Sequence, residues 1–216
     1  NLKIKNSITD SSLFLGSPLV LKNNKIIASN GNSLFVYDSL SGSTIWKKNI
    51  STDVKGNLSK NYVFLFSKNN LLICLSSQSG EIIWSSTWDI DNYDYPKSMI
   101  INQNGNYTMS GYSSNDNNGD NGSSWIIKTD INGNGEVLQP FTGNNFVFSM
   151  IEIESGDYIL AGKKIEDSNT QGWIVSVDSE GNQNWEKLYG DDGDEVFYSI
   201  QQTSDMGYIL TGKTNS

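Results

Sequence analysis

Two stretches of this chain carry side chains of the right type and spacing for chemistry. In "DINGNGE" (130–136), Asp130, Asn132, Asn134 and Gly135 follow the order of a calcium loop. The full loop needs a bidentate acid at its twelfth position, where Phe141 stands. The aligned "DSEGNQN" (178–184) lacks the glycine at the sixth position. A Gly/Asn turn between strands accounts for both stretches and is the preferred reading, with calcium as the alternative. Glu152 and Glu154 fall on a predicted strand and point the same way by its period of two. A glycosidase needs such a pair about 5–9.5 Å apart. One repeat later these positions are Gln202 and Ser204, and one repeat earlier Ile101 and Gln103. A solvated wall is therefore preferred over a hydrolase.

The rest of the composition excludes more than it offers. There is no histidine, which removes Ser-His-Asp and Cys-His catalysis and the usual zinc sites. The single cysteine, Cys74 in "NLLICLS", has no internal disulfide partner and reads as a small core hydrophobe. No P-loop occurs. Fifteen cationic residues, all lysine, stand against 24 acids, for a net charge of −9. A nucleic acid partner is not expected of so acidic a chain. No run of eighteen apolar residues occurs, so no membrane span is expected. The chain begins at Asn1 with neither Met nor an apolar leader, which fits a processed or excised product. The expectation is an enzymatically inactive, cofactor-free protein.

Internal repeats supply the architecture. A shift of fifty places residues 146–164 on 196–214 without a gap. Ser149/Ser199, Tyr158/Tyr208, Ile159/Ile209, Leu160/Leu210, Gly162/Gly212 and Lys163/Lys213 are then identical pairs. A shift of fifty-one places "SMIINQNGNYTMSG" (98–111) on "SMIEIESGDYILAG" (149–162). Nearer the N-terminus, a shift of thirty-eight places 24–46 on 62–84, so that Gly42/Gly80 and Trp46/Trp84 coincide.

Each unit reads as four short strands rich in β-branched and aromatic residues and bounded by Gly, Asn, Asp or Ser. In one unit these are 148–153, 157–162, 172–177 and 183–189. No amphipathic helical stretch of ten residues is present. The predicted fold is therefore all-β: a β-propeller of four-stranded antiparallel blades, with a β-solenoid as the alternative. The repeats run 18–50, 56–88, 97–141, 147–189 and a partial 197–213, in one domain. "LKIKNSI" at the N-terminus can complete the partial fifth blade and close a ring without free edges. The equal alternative is a segment of a longer repeat chain.

In such a blade, the loops after the second and fourth strands share one face. They are the long ones here: "WDIDNYDYP" (88–96), "SSNDNNGDNGSS" (113–124), "KKIEDSNTQG" (163–172) and "GDDGDEV" (190–196). The opposite face has only tight turns. This predicts an acidic face carrying Asp89, Asp91, Asp94, Asp116, Asp120, Asp191, Asp192, Asp194 and Glu195, with Trp88, Tyr93, Tyr95 and Phe146 near its inner rim. Binding residues concentrate on variable loops. The competing reading is that Asp and Asn merely solvate the turns.

"LFVYDSLSGSTIW" resembles the repeat of quinoprotein-dehydrogenase-like (PQQ-like) propellers, A-x-D-x-x-T-G-x-x-x-W. Asp38, Gly42 and Trp46 match, with Ser41 and Val36 as substitutes; the second copy keeps Gly80 and Trp84 but has Ser76 for Asp. The longer repeats resemble a second propeller-type repeat of secreted and surface proteins. The resemblance implies that Trp46, Trp84 and Trp185 dock between blades. It also favours the non-catalytic members, because the enzymes use eight blades, a metal and often a vicinal cysteine pair. The expected function is a binding or scaffold module, extracellular or at the cell surface, holding a protein, glycan or cation on its acidic face. A structural spacer or filament subunit joined through blade edges is the first alternative, and a carbohydrate-active hydrolase the second.

Overall fold

The computed structural model describes residues 20–30, 32–50, 57–58, 61–66, 71–91, 93–115, 121–138, 141–167, 169–190 and 193–215. Every regular element among them is a strand. The chain divides into two compact units, residues 1–88 and 89–216. The N-terminal "LKIKNSI" lies outside the described residues.

The first unit holds two four-stranded antiparallel sheets with neighbours in chain order. One is β1 (Val20–Lys22), β2 (Lys25–Ser29), β3 (Leu34–Asp38) and β4 (Thr44–Lys48). The other is β5 (Asn57–Leu58), β6 (Tyr62–Phe66), β7 (Leu71–Ser76) and β8 (Ile82–Thr87). Their middle strands are nearly continuous apolar runs, as strands covered on both faces require. Ile27, Leu34, Val36, Val63, Leu65, Ile73 and Leu75 form the core with Trp46.

The second unit follows the same plan with longer strands. β9 (Tyr93–Ile101), β10 (Tyr107–Ser114), β11 (Gly122–Thr129) and β12 (Gly135–Val137) form its first sheet. β13 (Asn145–Glu152), β14 (Tyr158–Glu166), β15 (Asn169–Val177) and β16 (Gln183–Tyr189) form its second. β17 (Val196–Gln202) and β18 (Tyr208–Lys213) pair as a two-stranded third. These are blades of the β-propeller type, as the repeats predict.

Several predicted boundaries move: Tyr93–Pro96 of the predicted loop 88–96 belong to β9, and both ends of the predicted loop 113–124 belong to β10 and β11. "KKIEDSNTQG" is not a loop: β14 and β15 stay paired through Glu166 and Asn169, and the chain reverses at Asp167 with φ 51°. A polar hairpin in solvent needs no apolar face. Lys164 ties it to β16 instead, 3.2 Å from Glu186, and also pairs with Glu166 of its own strand at 2.9 Å. Glu154 is not on a strand, because β13 ends at Glu152 and Glu154 sits in the tight turn that follows.

Within the second unit the sheets are linked by devices that recur with the repeat. Ser98 Oγ accepts the backbone N–H of Met150 at 3.2 Å, and Ser149 Oγ accepts that of Ile200 at 3.3 Å. The ring of Phe146 lies on Gly122, where a Cβ would stand 2.5 Å from it, and that of Phe197 lies on Gly172 at 2.6 Å. Tyr158, 1% exposed, joins the sheets through its hydroxyl, bonded to Asn102 Nδ2 at 2.6 Å and Thr108 Oγ1 at 3.1 Å. Glycine at 122 and 172 is therefore a packing requirement, since any side chain would meet an aromatic ring.

Candidate functional site

The residues assigned to an acidic, aromatic-edged face separate into those on display and those that build the sheets. Asp89, Asp91 and Asp194 are exposed, and Tyr93 is 44% exposed. Asp94 is half-buried. Its carboxylate accepts the hydroxyl of Ser113 and the backbone N–H of Ile90 at 3.0 Å. Burial pushes its pKa above the ordinary value, against the pull of the Ser113 bond. Tyr95 stacks on Tyr112 at 4.9 Å. Asp116, Asp120, Asp191 and Asp192 lie outside the described residues.

Two assigned residues face inward. Phe146 is 2% exposed and wedged on Gly122, with Tyr112 edge-on at 5.0 Å. It is an inter-sheet wedge, not a rim residue. Glu195 joins two sheets: its N–H donates to Thr170 O of β15 at 3.0 Å, and Oε1 accepts the hydroxyl of Thr214, just past β18, at 2.8 Å. Its Oε2 is buried against Gly190 without a hydrogen-bond partner.

The calcium-like stretch is a turn. Asp130 Oδ1 accepts the N–H groups of Asn132 at 2.8 Å and Asn134 at 2.9 Å, and Oδ2 accepts Asn134 Nδ2 at 3.2 Å. Asp178 does the same with Glu180, Asn182 and the Asn182 amide at 3.0, 2.8 and 2.9 Å. In each case the asparagine side chain leads in holding the carboxyl below its ordinary pKa. Asp38, the acid of the PQQ-like repeat, accepts Leu40 N and Ser41 N at 3.0 and 2.7 Å. Ser76 replaces it with a hydroxyl that receives Gln78 N and Ser79 N at 3.3 Å each. The repeat's acid is thus a turn acceptor, and a serine performs the same task more weakly. Among the described residues no three His, Cys, Asp or Glu side chains converge to hold a metal. Glu152 is a clip between sheets: Oε2 accepts Gln103 N at 2.8 Å, while Gln103 Nε2 donates to Ile153 O at 2.9 Å.

The three tryptophans assigned to docking differ. Trp46 is 9% exposed, donates its indole N–H to Ser77 O at 3.1 Å, and lies on Gly80. Gly80 has φ 72° and no room for a Cβ, which would stand 2.8 Å from the ring. Trp84 is half-buried, with Phe64 of its own sheet at 6.1 Å. Trp185 has no seat of this kind on another sheet among the described residues. It is 36% exposed with Lys187 Nζ 5.7 Å from its ring, because the described part of the last sheet has no third–fourth-strand turn to receive it. The next-sheet contact of that kind in the second unit is made by Leu138, whose Cβ lies against Gly181.

Sequence reasoning missed a set of residues that the strand register defines. β9, β13 and β17 each carry a β-bulge against their partners, at Lys97, Phe148 and Tyr198. The three positions coincide under the shifts of 51 and 50. A bulge adds one residue to a strand and re-aims its side chain. Phe148 and Tyr198 thereby lie 5.6 Å apart, and Tyr112 lies 6.1 Å from Phe148. Lys97 Nζ sits 5.7 and 5.3 Å from the Tyr95 and Tyr112 rings. Only the register shows this alignment, since the three residue types share no pattern.

Charge divides the molecule along the same boundary as its packing. The first unit has nine lysines against four acids, and the second has six lysines against twenty acids. Every acid of the candidate face belongs to the second, while Trp88 of its assigned rim ends the first.

Comparison with known proteins supports the same architecture. Residues 7–86 match the family described as outer membrane protein assembly factor BamB. No curated protein matches the sequence. Among solved structures, the chain is similar to quinohemoprotein alcohol dehydrogenase from Comamonas testosteroni (TM-score 0.64, 13% identity, 91% of this chain and 39% of that one). It is similar to the WD40 β-propeller domain of Doa1 (0.62, 14%, 91% and 60%). A Bacteroides caccae protein of unknown function is also similar (0.54, 11%, 83% and 61%). The chain spans less than two thirds of each of these structures, and at such identities the likeness is one of fold.

Proposed function

We propose that this β-propeller chain, whose residues 7–86 carry PQQ-like repeats, is a non-enzymatic binding or scaffold module working outside the cell or at its surface. The observation that carries the reading is the charge of the second unit, twenty acids against six lysines, with Asp89 and Asp91 displayed ahead of the half-exposed Tyr93 and Asp194 displayed ahead of β17. A field of one sign raises the local concentration of an oppositely charged partner and speeds its capture. The acids with chemical potential in the sequence are engaged elsewhere: Asp130 and Asp178 in turns, Glu152 in a clip between sheets. Among the described residues no helix is long and apolar enough to cross a membrane.

The test replaces Asp89, Asp91 and Asp194 together with asparagine and compares both proteins on a glycan array and a panel of cell-surface proteins. The native chain should hold at least one partner in a salt-sensitive way, and the variant should lose it without a change in melting temperature. An unchanged partner profile overturns the assignment. Turnover of a glycoside that disappears in Glu152→Gln would establish the hydrolase instead.

A second reading, assembly through a sheet edge, is favoured by one contrast. Ile159 in β14 is 1% exposed, whereas its repeat counterpart Ile209 in β18 is 57% exposed. Light scattering across a concentration series separates the two readings, because edge assembly makes the mass rise with concentration.

A further inference from the structure

The geometry points to the row of bulge residues on β9, β13 and β17 as a site for a lysine- or arginine-bearing polypeptide segment, with Phe148 and Tyr198 receiving the cationic side chains. The inference rests on the binding-module reading and names the chemistry of its partner.

The three bulges repeat at one position in successive first strands, although the residues there are Lys, Phe and Tyr. The residues just before them in the strands are spent on packing: Val147 is 0% exposed, and the half-buried Phe197 lies on Gly172. Phe148 is half-buried and Tyr198 is 47% exposed, so neither ring is consumed by packing. A large aromatic group displayed twice at a re-aimed position is surplus to the fold.

The molecule itself shows what such rings accept. At the first bulge, the Lys97 ammonium sits 5.3 Å from the centroid of Tyr112. Beside the row, the Lys163 ammonium sits 4.4 Å from the centroid of Phe146. Both are cation–π distances. The face of an aromatic ring carries negative potential, and a cation held there is attracted most where water is partly excluded. The second and third sheets offer rings at the position where the first sheet has its own ammonium, and among the described residues no ammonium stands over Phe148 or Tyr198. A ligand cation over these rings would extend an arrangement the protein already makes.

Charge complementarity selects the sign. The unit bearing the row has fourteen more acids than lysines, from the counts of twenty and six, so a basic segment is drawn to it and an acidic one repelled. The ring spacing of 5.6 Å suits neighbouring side chains of one extended chain, whose same-face residues lie about 6.6 Å apart.

The test uses the whole chain and a blocked, fluorescein-labelled peptide alternating arginine and glycine, with binding read by fluorescence polarisation. Phe148→Leu and Tyr198→Leu keep apolar bulk but remove the ring; Tyr198→Phe keeps the ring. Each leucine variant should weaken binding roughly two- to fivefold, as loss of a cation–π contact of about 0.5–1 kcal/mol implies. The phenylalanine variant should bind like the native chain. Leucine variants equal to the native chain would show charge alone at work and overturn the site. So would failure of the peptide to bind. In either event, partner loss on the triple Asp→Asn substitution would still stand, so the two readings fail separately.

Discussion

The two units join their sheets differently. In the first, described strands of two to six residues leave little area on each sheet, and Trp46 of an outermost strand reaches across to the Ser77–Gly80 turn of the next sheet. In the second, β13, β14 and β15 run eight, nine and nine residues, and the innermost strands carry the union through Phe146 on Gly122, Phe197 on Gly172, and the Ser98 and Ser149 hydroxyls. Longer strands bury more area along the first strand, so the outer seat can be filled by Leu138 without an indole. Short blades need a large side chain at their rim; long blades do not.

The sharpest way to break this comparison is to delete equivalent tryptophans. Trp46→Ala removes a buried ring of about 200 Å² and its bond to Ser77, and should cost about 3–5 kcal/mol. Trp185→Ala removes a ring that is 36% exposed and should change stability by no more than about 0.5–1 kcal/mol. Guanidinium unfolding followed by hydrogen exchange in each unit measures both. Equal losses would mean that the outer tryptophan works alike in both kinds of repeat.

How much of this was legible follows from which residues carry the signal. The four-stranded repeat was legible, because Gly, Asn and Asp punctuate it and the shifts of 38, 50 and 51 align it. Trp46 was legible through its spacing from Asp38 and Gly42. Trp185 has the same spacing from Gly181 as Trp46 from Gly42 yet is 36% exposed, because docking depends on the surface the indole meets and not on the indole. Phe146 reads as a rim residue because its loop neighbours are polar; nothing local reveals that Gly122, twenty-four residues earlier, leaves a hollow for its ring. The polar 163–172 segment reads as loop because its hairpin carries no apolar alternation. The bulge row was invisible, since a bulge is a property of two paired strands.

A smaller effect sharpens the second unit's side of the comparison. Gly122→Ala places a Cβ 2.5 Å from the Phe146 ring and should cost about 1–3 kcal/mol by overpacking. Phe146→Leu in the same chain should return part of that loss, because the smaller side chain vacates the space the new methyl needs. The double-mutant cycle measures the coupling. Additive losses would mean that the ring and the glycine do not form one joint.

The smallest effect separates the two kinds of carboxylate. Asp38, Asp130, Asp178 and Asp205 are held below the ordinary value of 3.8 by hydrogen bonds in their turns, so what they contribute is present above that pH and is lost as pH falls through their folded pKa values. Asp94 has the opposite sign. Burial raises its folded pKa, so the folded state is penalised once the group must ionise. Asp94→Asn keeps an oxygen for Ser113 and Ile90 but carries no charge. Below pH 3.8 the native chain and the variant should unfold at similar denaturant concentrations, since Asp94 is then protonated in both folded and unfolded chains. As pH rises from there through the folded pKa, the variant should gain on the native chain, and above it the gap should stay constant. Both proteins should share the acid limb set by the four turn aspartates. A variant that instead lost ground to the native chain as pH rises would mean that the Ser113 bond, and not desolvation, governs Asp94, and a gap that does not change with pH would mean that the two cancel.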